Sequence, residues 1–170
     1  MTQKVVVWLT GLPGSGKSTI AQQLKPLLSP CVLLDGDDVR QWLTKDLGFS
    51  REDRRENVRR VTKAANSQLA QRSNTVVALI SPYEEDRLEA LSRIRSTGRR
   101  AILVHLDCPL EVCEQRDPKG MYARARSGEI PHFTGVDDPY ESPEAPDVYL
   151  RTDLMTVEEA VAEILGAVGC

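Results

Sequence analysis

The sequence predicts an α/β domain of three layers, in which helices cover both faces of a central parallel sheet. Short apolar runs alternate with helical patterns along the chain. A glycine-rich loop joins the first apolar run to the first helical pattern. The length of 170 residues fits one domain over residues 1–170. Ligands of such sheets bind at the carboxyl ends of strands, so functional loops are expected there.

Five apolar runs predict the strands. The first is apolar throughout, which is typical of a strand buried on both faces, and the third is rich in β-branched residues. The predicted strands cover residues 5–9, 31–34, 75–80, 101–106 and 148–150.

Helical periodicity fills most of the intervals between these runs. The predicted helices cover residues 17–28, 38–47, 52–72, 84–97 and 110–116, and a terminal helix begins after Thr156. Ser50 with Asp53, and Thr156 with Glu159, have the spacing of N-terminal capping pairs.

A long irregular segment precedes the last strand. Residues 117–146 contain three glycines and five prolines and show little periodicity. Such segments in compact domains are usually functional lids or disordered. We therefore expect a mobile lid here.

Composition argues against several classes of function. The net charge of -3 does not favour a broad nucleic-acid surface, and no apolar run approaches the roughly 20 residues of a membrane span. The start of the chain has no signal-peptide pattern. The cysteines predict reduced thiols in the cytoplasm rather than a zinc site or a disulfide framework. They are Cys31, Cys108, Cys113 and Cys170.

Residues 11–18, GLPGSGKS, match the phosphate-loop pattern GxxxxGK[ST] between a predicted strand and a predicted helix. Backbone N–H groups at the helix start would bind phosphate, Lys17 would contact the β- and γ-phosphates, and Ser18 would bind Mg²⁺. The predicted nucleotide-binding residues of this loop are Gly11, Pro13, Gly14, Ser15, Gly16, Lys17, Ser18 and Thr19. ATPases, GTPases and small-molecule kinases all use such a loop. GTPases normally have an NKxD-type motif after a later strand, and none follows the fourth strand here. The size of the chain and its late lid favour a nucleoside-monophosphate-kinase-like enzyme.

Three carboxylates follow the second strand in LLDGDDVR: Asp35, Asp37 and Asp38. They repel one another unless a cation or a hydrogen-bond donor is present. A carboxylate here could orient or deprotonate an attacking hydroxyl, or order water bound to Mg²⁺. Alternatively Asp35 or, more strongly favoured, Asp38 caps the next helix. Farther along, Arg54 and Asn57 share one helix face, where an arginine could bind phosphate or sulfate oxygens.

In combination these segments resemble the adenylyl-sulfate kinase family. The resemblance covers nearly the whole chain and rests on GLPGSGKST, LDGDDVR, DLGFSREDRRENVRR, ISPYEEDR, LDCPLEVCEQRDPKGMYARARSGEI and FTGVDDPYESPEAPD. It implies a P-loop kinase fold and use of MgATP to phosphorylate the ribose 3'-hydroxyl of adenosine 5'-phosphosulfate (APS). The implied products, in sulfate activation, are 3'-phosphoadenylyl sulfate and ADP.

The resemblance also implies roles for individual residues. Lys17, Asp37 and Ser81 match catalytic positions, Ser18 and Asp37 match the metal site, and Arg116 matches an arginine near the ATP base. The implied substrate-binding residues are Asp37, Arg40, Phe49, Arg54, Asn57, Ile80, Ser81, Lys119, His132 and Phe133. Phe133 would cover the APS adenine. Ser81 matches a serine described as a phosphoserine intermediate. We favour direct transfer, and from its context Ser81 also predicts a helix N-cap before Pro82.

Three positions depart from the family pattern: Pro13 replaces a common serine, Asp38 an asparagine and Pro131 a lysine. The resemblance further implies a homodimer and a possible association with ATP sulfurylase. Two alternatives remain at this stage. One is a related P-loop kinase for another small hydroxyl acceptor, and the other is a catalytically silent nucleotide-binding regulatory module.

Overall fold

The computed structural model describes residues 3–169 and has a parallel five-stranded sheet at its centre. The strand order is β2-β3-β1-β4-β5, and every neighbouring pair is parallel. The strands are β1 (Val5–Thr10), β2 (Cys31–Asp35), β3 (Asn74–Ala78), β4 (Arg100–Asp107) and β5 (Val148–Arg151). The predicted three-layer α/β fold is confirmed. Cys170, one of the predicted thiols, lies outside the described residues.

Helices cover both faces of this sheet. They are α1 (Lys17–Leu27), α2 (Gly36–Trp42), α3 (Arg51–Ala65), α4 (Gln68–Gln71), α5 (Glu84–Arg95), α6 (Leu110–Arg116), α7 (Met121–Arg126) and α8 (Val157–Val168). Helices α1 and α8 pack on one face around Leu24 and Ile164, and α3 and α5 pack on the other around Val61 and Ile94. In the described part of the chain, no helix is long and apolar enough to cross a bilayer.

Two predicted helices end earlier than their periodicity indicated. Helix α2 ends at Trp42, and the chain then turns so that Arg40 can donate to the carbonyls of Leu47 and Gly48, at 3.0 and 2.9 Å. The predicted helix over residues 52–72 is divided after Ala65, where the buried Arg99 bonds the Ala65 carbonyl. In both places a tertiary contact to the backbone outweighs local helical preference.

The capping predictions have mixed outcomes. The Ser50 hydroxyl accepts from the Asp53 amide at 3.1 Å, and Thr156 and Glu159 form a reciprocal capping box, as predicted. The N-cap of α2 is Asp35 and not Asp38, because an N-cap needs extended backbone and Asp38 already lies in the first helical turn.

Ser81 is not a helix cap, which corrects the prediction from its sequence context. Helix α5 has Tyr83 as its N-cap, and Ser81 lies two residues earlier with φ of 40°. Its hydroxyl accepts a hydrogen bond from the indole Nε1 of Trp8 at 3.1 Å. Because the Ser81 oxygen already accepts from the buried indole, it is not available to cap a helix.

The segment predicted to be irregular, residues 117–146, contains the helix α7. It begins after Gly120, and the Asp117 carboxylate accepts from the amides of Tyr122 and Ala123 at 3.0 and 3.2 Å. Tyr122 and Phe133 pack against the α6 side of the domain in a third apolar cluster. Six residues are too few for the periodicity to have indicated this helix.

Candidate active site

The phosphate loop joins β1 to α1 at the carboxyl edge of the sheet, as its sequence predicts. At Gly11 a Cβ atom would lie 2.6 Å from Ser15 Oγ and 2.7 Å from the Leu106 carbonyl oxygen, so only glycine fits. Gly16 has φ of 101° and begins α1 without a side-chain cap. The first N–H groups of α1 are therefore available to bind an anion, assisted by the helix dipole.

Lys17 lies folded against the same loop. Its Nζ donates to the carbonyls of Gly11 and Leu12, both at 2.8 Å. Burial lowers the pKa of Lys17 from 10.5 to about 8, although the nearby carboxylates of Asp35 and Asp37 act in the opposite direction. A bound phosphate would compensate the charge of this buried ammonium, so the site favours an anion.

The carboxylates after β2 occupy different environments. Asp35 is buried: its Oδ1 accepts from the Asp37 amide at 3.2 Å, and its Oδ2 has no hydrogen-bond partner among the described residues. Asp37 is exposed and pairs with Lys119 of the lid segment. Two predicted site residues from distant parts of the sequence therefore meet at the carboxyl edge.

The donor set fits Mg²⁺ of the kind that accompanies a nucleotide. Over residues 3–169, no three His, Cys, Asp or Glu side chains lie close enough to bind a metal by themselves. Mg²⁺ bound with phosphates needs only one or two protein oxygens, because phosphate and water supply the others. The unpaired Asp35 Oδ2 is such an oxygen, and Ser18 supplies a hydroxyl in the first turn of α1. Sequence reasoning placed the metal at Ser18 and Asp37 and treated Asp35 as a possible cap.

The predicted acceptor residues Arg40, Phe49, Arg54 and Asn57 form a cluster beside these carboxylates. The Arg40 guanidinium lies 4.5 Å from the centroid of the Phe49 ring, and the Arg54 guanidinium lies 5.6 Å from it. Phe49 is 47% exposed, whereas Arg54 and Asn57 are buried. Burial lowers the pKa of Arg54, but an arginine keeps its charge in proteins. The cluster thus offers two cations and an open aromatic face.

Asn57, three residues after Arg54 on α3, has an unsatisfied polar atom. Its Oδ1 is buried and has no hydrogen-bond partner among the described residues. Such groups are costly in a folded protein and often indicate a functional site.

Ile80 and Ser81 follow β3, between the phosphate loop and the acceptor cluster. The Ile80 carbonyl accepts from Thr10 Oγ1 at 2.6 Å, so this backbone is attached to the end of β1. Ser81 is 4% exposed, and its hydroxyl is engaged by Trp8. The backbone here is well positioned, while the Ser81 oxygen is poorly accessible.

The lid segment contacts both halves of the site. Arg54 Nη2 donates to the His132 carbonyl at 2.5 Å, and its Nε lies 3.5 Å from Asp138. Phe133 is 8% exposed and packs edge-on against Tyr122, with ring centroids 5.0 Å apart. The lid is therefore attached to α3 through an arginine predicted to bind substrate.

Arg116 joins the phosphate loop to the segment after β5. Its Nη2 donates to the Thr152 carbonyl at 2.8 Å and its Nη1 to the Gly14 carbonyl at 3.3 Å. The Thr152 hydroxyl in turn donates to the Ser15 carbonyl at 2.8 Å. Arg116 thus lies beside the phosphate loop, and its predicted place near the ATP base stays a prediction.

Sequence reasoning missed Tyr122, whose hydroxyl donates to the Pro13 carbonyl at 2.7 Å. Pro13 has no backbone N–H, and its carbonyl binds the lid through this bond. A tyrosine within MYARAR carries no local signal of this contact, which depends on tertiary packing.

A cavity of about 650 Å³ lies between the lid segment and the end of β4. His105, Asp107, Val136 and Tyr140 are among its lining residues, and it shares Leu12 with the phosphate loop. Its volume does not identify the substrate site, because none of the predicted acceptor residues lines it.

Known proteins are similar to this chain in sequence and in fold. A family model described as adenylylsulphate kinase matches residues 3–151. The adenylyl-sulfate kinase of Clostridium kluyveri is 46% identical over 171 residues, which cover 98% of this chain and 84% of that protein. The structure of the Mycobacterium tuberculosis APS kinase in complex with AMPPNP and APS has a TM-score of 0.93 and 42% identity, with 100% of both chains covered. A hexameric APS kinase from Thiobacillus denitrificans is 30% identical with a TM-score of 0.72, covering 98% of this chain and 29% of that one.

Proposed function

The chain belongs to the adenylylsulphate kinase family, and we propose on that basis that it is an adenylyl-sulfate kinase. It transfers the γ-phosphate of ATP to the ribose 3'-hydroxyl of APS, giving 3'-phosphoadenylyl sulfate and ADP. The observation that supports this most directly is the arrangement of two anion sites at one sheet edge. The phosphate loop forms one, and the cluster of Arg40, Phe49, Arg54 and Asn57 forms the other.

The phosphate loop would hold the ATP phosphates through the N–H groups of α1 and through Lys17. Lys17 is bonded to two loop carbonyls, which keep its ammonium within the phosphate loop. Arg116 would border the base. Ser18 and Asp35 would hold Mg²⁺, and Asp37 would order water bound to it. When bound, this ion neutralises charge on the phosphates.

The acceptor cluster would hold APS by its charges and its aromatic face. Arg40 and Arg54 would supply positive charge to the two negative groups of a phosphosulfate. Phe49 would contact the adenine from the exposed side, and Phe133 would approach from the lid. Asn57 would place its unpaired oxygen against a donor of the substrate.

In the transfer step, the 3'-oxygen of APS forms a bond to the γ-phosphorus as the bond to the β,γ-bridging oxygen breaks. We propose that Asp37 orients the attacking hydroxyl and accepts its proton, while ADP leaves with the bridging oxygen. The Lys119 contact engages Asp37 Oδ2, so the other carboxylate oxygen remains available to the hydroxyl. The lid would exclude water and limit loss of the phosphate to hydrolysis.

Ser81 would position the substrate rather than carry the phosphate. Its hydroxyl is buried and accepts from Trp8, and no described side chain acts on it as a base. A serine without an adjacent base is a weak nucleophile. Its left-handed backbone instead fixes the turn that passes the acceptor cluster.

The direct test incubates the purified chain with MgATP and APS and follows ADP formation and the nucleotide product together. We expect one 3'-phosphoadenylyl sulfate for each ADP. AMP and unrelated small alcohols should give no transfer. Phosphorylation of another acceptor without phosphorylation of APS would refute the assignment, as would an inactive chain that binds ATP normally.

We also propose a cytoplasmic homodimer, as the family resemblance implies. The relative from Thiobacillus denitrificans is described as hexameric, so self-association occurs among similar chains. Light scattering during gel filtration tests the dimer, and co-elution with an added ATP sulfurylase tests the suggested association. A monodisperse monomer at micromolar concentration would contradict the dimer.

A further inference from the structure

Arg87 of α5 is a completely buried charged residue that the proposed mechanism does not use. Its side chain has 0% exposure. The guanidinium donates to the Ser81 carbonyl at 2.7 Å through Nη1 and to the Glu141 carbonyl at 2.5 Å through Nη2. Nε donates to Glu84 at 3.0 Å, and Nη2 also bonds this carboxylate. A single side chain thus joins three backbone segments.

One of these segments is the carboxyl-terminal end of the lid, residues 140–144, which we call the lid root. The Glu141 amide donates to the Pro82 carbonyl at 2.8 Å, and its carboxylate accepts from the Glu84 amide at 2.8 Å. The Glu144 amide donates to Glu84 at 3.2 Å. Arg87 and Glu84 therefore lie at the centre of a continuous hydrogen-bonded connection between the lid root and the turn after β3.

Tyr140 extends the connection to the phosphate loop. Its ring centroid lies 5.7 Å from the Arg87 guanidinium, and its hydroxyl lies 2.9 Å from Thr10 Oγ1. Thr10 is the last residue of β1 and donates to the Ile80 carbonyl. The lid root is thus attached to the backbone that leads into the phosphate loop.

The turn after β3 needs such support. Ser81 has φ of 40°, a conformation that a residue with a side chain adopts only when its surroundings impose it. Arg87 holds its carbonyl and Trp8 holds its hydroxyl. Ile80 and Ser81 are also the backbone predicted to pass the acceptor nucleotide.

We propose that Arg87 is a positioning residue that makes the Ser81 turn and the lid root one rigid unit. This inference rests on the proposed function, since APS is the ligand that the unit receives. Closure of the lid would then be confined to residues before 140, pivoting on a fixed root. A guanidinium is required because its planar fork donates in several fixed directions, which a lysine ammonium cannot reproduce.

The test compares Arg87→Met and Arg87→Lys with the same substitutions at Arg99. Arg99 is also a buried arginine bonded to backbone carbonyls, those of Ala65 and Ser73, but it lies at the amino end of the sheet. We expect both Arg87 variants to raise the KM for APS about tenfold and to lower kcat, because small displacements of positioning groups are costly. The KM for ATP should change less than about twofold, since the phosphate loop is intact. The Arg99 variants should change neither the KM for APS nor the KM for ATP.

Amide hydrogen exchange supplies a readout independent of activity. The amides of Glu84, Glu141 and Glu144 should lose protection together in Arg87→Met and keep it in Arg99→Met. Glu141→Ala removes a carboxylate of the same connection at an exposed position, so this variant should fold even if Arg87→Met does not. It should shift the KM for APS in the same direction by a smaller factor.

Equal increases of both KM values in the Arg87 variants would refute the positioning role. Unchanged kinetics and exchange in Arg87→Lys and Glu141→Ala would also refute it. Failure of the wild-type chain to phosphorylate APS would instead refute the proposed function, whereas the exchange pattern would still report on the connection.

Discussion

Replacing Asn57 with leucine should stabilise the ligand-free protein while weakening its binding of APS. The Asn57 Oδ1 is buried without a partner among the residues described. Leaving such an acceptor unpaired costs about 1–3 kcal/mol, and leucine has a similar size without the polar atom. We therefore expect a gain of about 1 kcal/mol, equivalent to a rise of about 2–4 °C in Tm for a chain of this length.

The same substitution should remove a hydrogen bond to bound APS. A hydrogen bond between neutral groups contributes about 0.5–1.5 kcal/mol, which corresponds to an increase of about 2- to 13-fold in Kd. Scanning calorimetry of the ligand-free protein measures the first effect. Titration calorimetry with APS in the presence of ADP measures the second, and ATP-site affinity should not change.

Thr62 provides the matched control on the same helix. It is buried like Asn57, but its hydroxyl donates to the Val58 carbonyl at 2.7 Å. Thr62→Val removes a satisfied bond, so it should lower stability by about 0.5–1.5 kcal/mol and leave APS binding unchanged. A lower ligand-free Tm in Asn57→Leu would refute the argument from the unpaired oxygen. APS binding as tight as wild type would refute the assigned contact.

Three further predictions concern the phosphate loop and the turn after β3. Burial lowers the pKa of Lys17 to about 8, and a bound triphosphate should raise it again. Because Lys17 is protonated below pH 8 with or without nucleotide, AMPPNP affinity should not depend on pH there. Above that pH it should fall by up to about tenfold per pH unit, with proton uptake on binding in titration calorimetry, and Lys17→Arg should abolish this fall. Tyr122→Phe should remove the bond to the Pro13 carbonyl and weaken ATP binding by about fivefold, or roughly 1 kcal/mol. Ser81→Ala should lose about 1–3 kcal/mol of stability, because the Trp8 indole is left unpaired, while kcat in the coupled ADP assay stays within about tenfold of wild type.

Each of these has a contradicting outcome. A pH-independent AMPPNP affinity from pH 7 to 10 would exclude the buried Lys17 ammonium as the titrating group. Tyr149→Phe is the control for Tyr122→Phe, because it removes a tyrosine hydroxyl bond to Asp107 outside the phosphate loop. If both variants weakened ATP binding equally, the Tyr122 effect would not be local. A loss of kcat beyond about a thousandfold in Ser81→Ala would restore the phosphoserine route.

Periodicity and turn chemistry were sufficient for the framework of the fold. Short apolar runs predicted all five strands, and the first of them is apolar throughout because β1 is buried on both faces. The capping pairs at Ser50 and Thr156 were predicted because they depend on residues three positions apart. Helix ends were predicted less well, because Arg40 bonds carbonyls of the turn that follows α2 and Arg99 bonds the carbonyl of the last residue of α3.

Motifs also predicted candidate site residues, because the phosphate loop and the carboxylates after β2 belong to short contiguous segments. They could not assign a different environment to each carboxylate. The buried Asp35 caps α2 and keeps an unpaired oxygen, whereas Asp37 is exposed and pairs with Lys119. Their separation in sequence is two residues, so only burial distinguishes them.

The sequence by itself determined the fold class, the family and the nucleotide loop, because each depends on local pattern or on segments in fixed order. Only the tertiary structure decided how distant segments meet. Tyr122 of the lid bonds Pro13, and the Ser81 hydroxyl bonds Trp8. Arg87 is buried between the turn after β3 and the lid root. The physical reason is that a hydrogen bond between remote residues leaves no period or spacing in the chain. It exists only once the sheet brings the strand ends together.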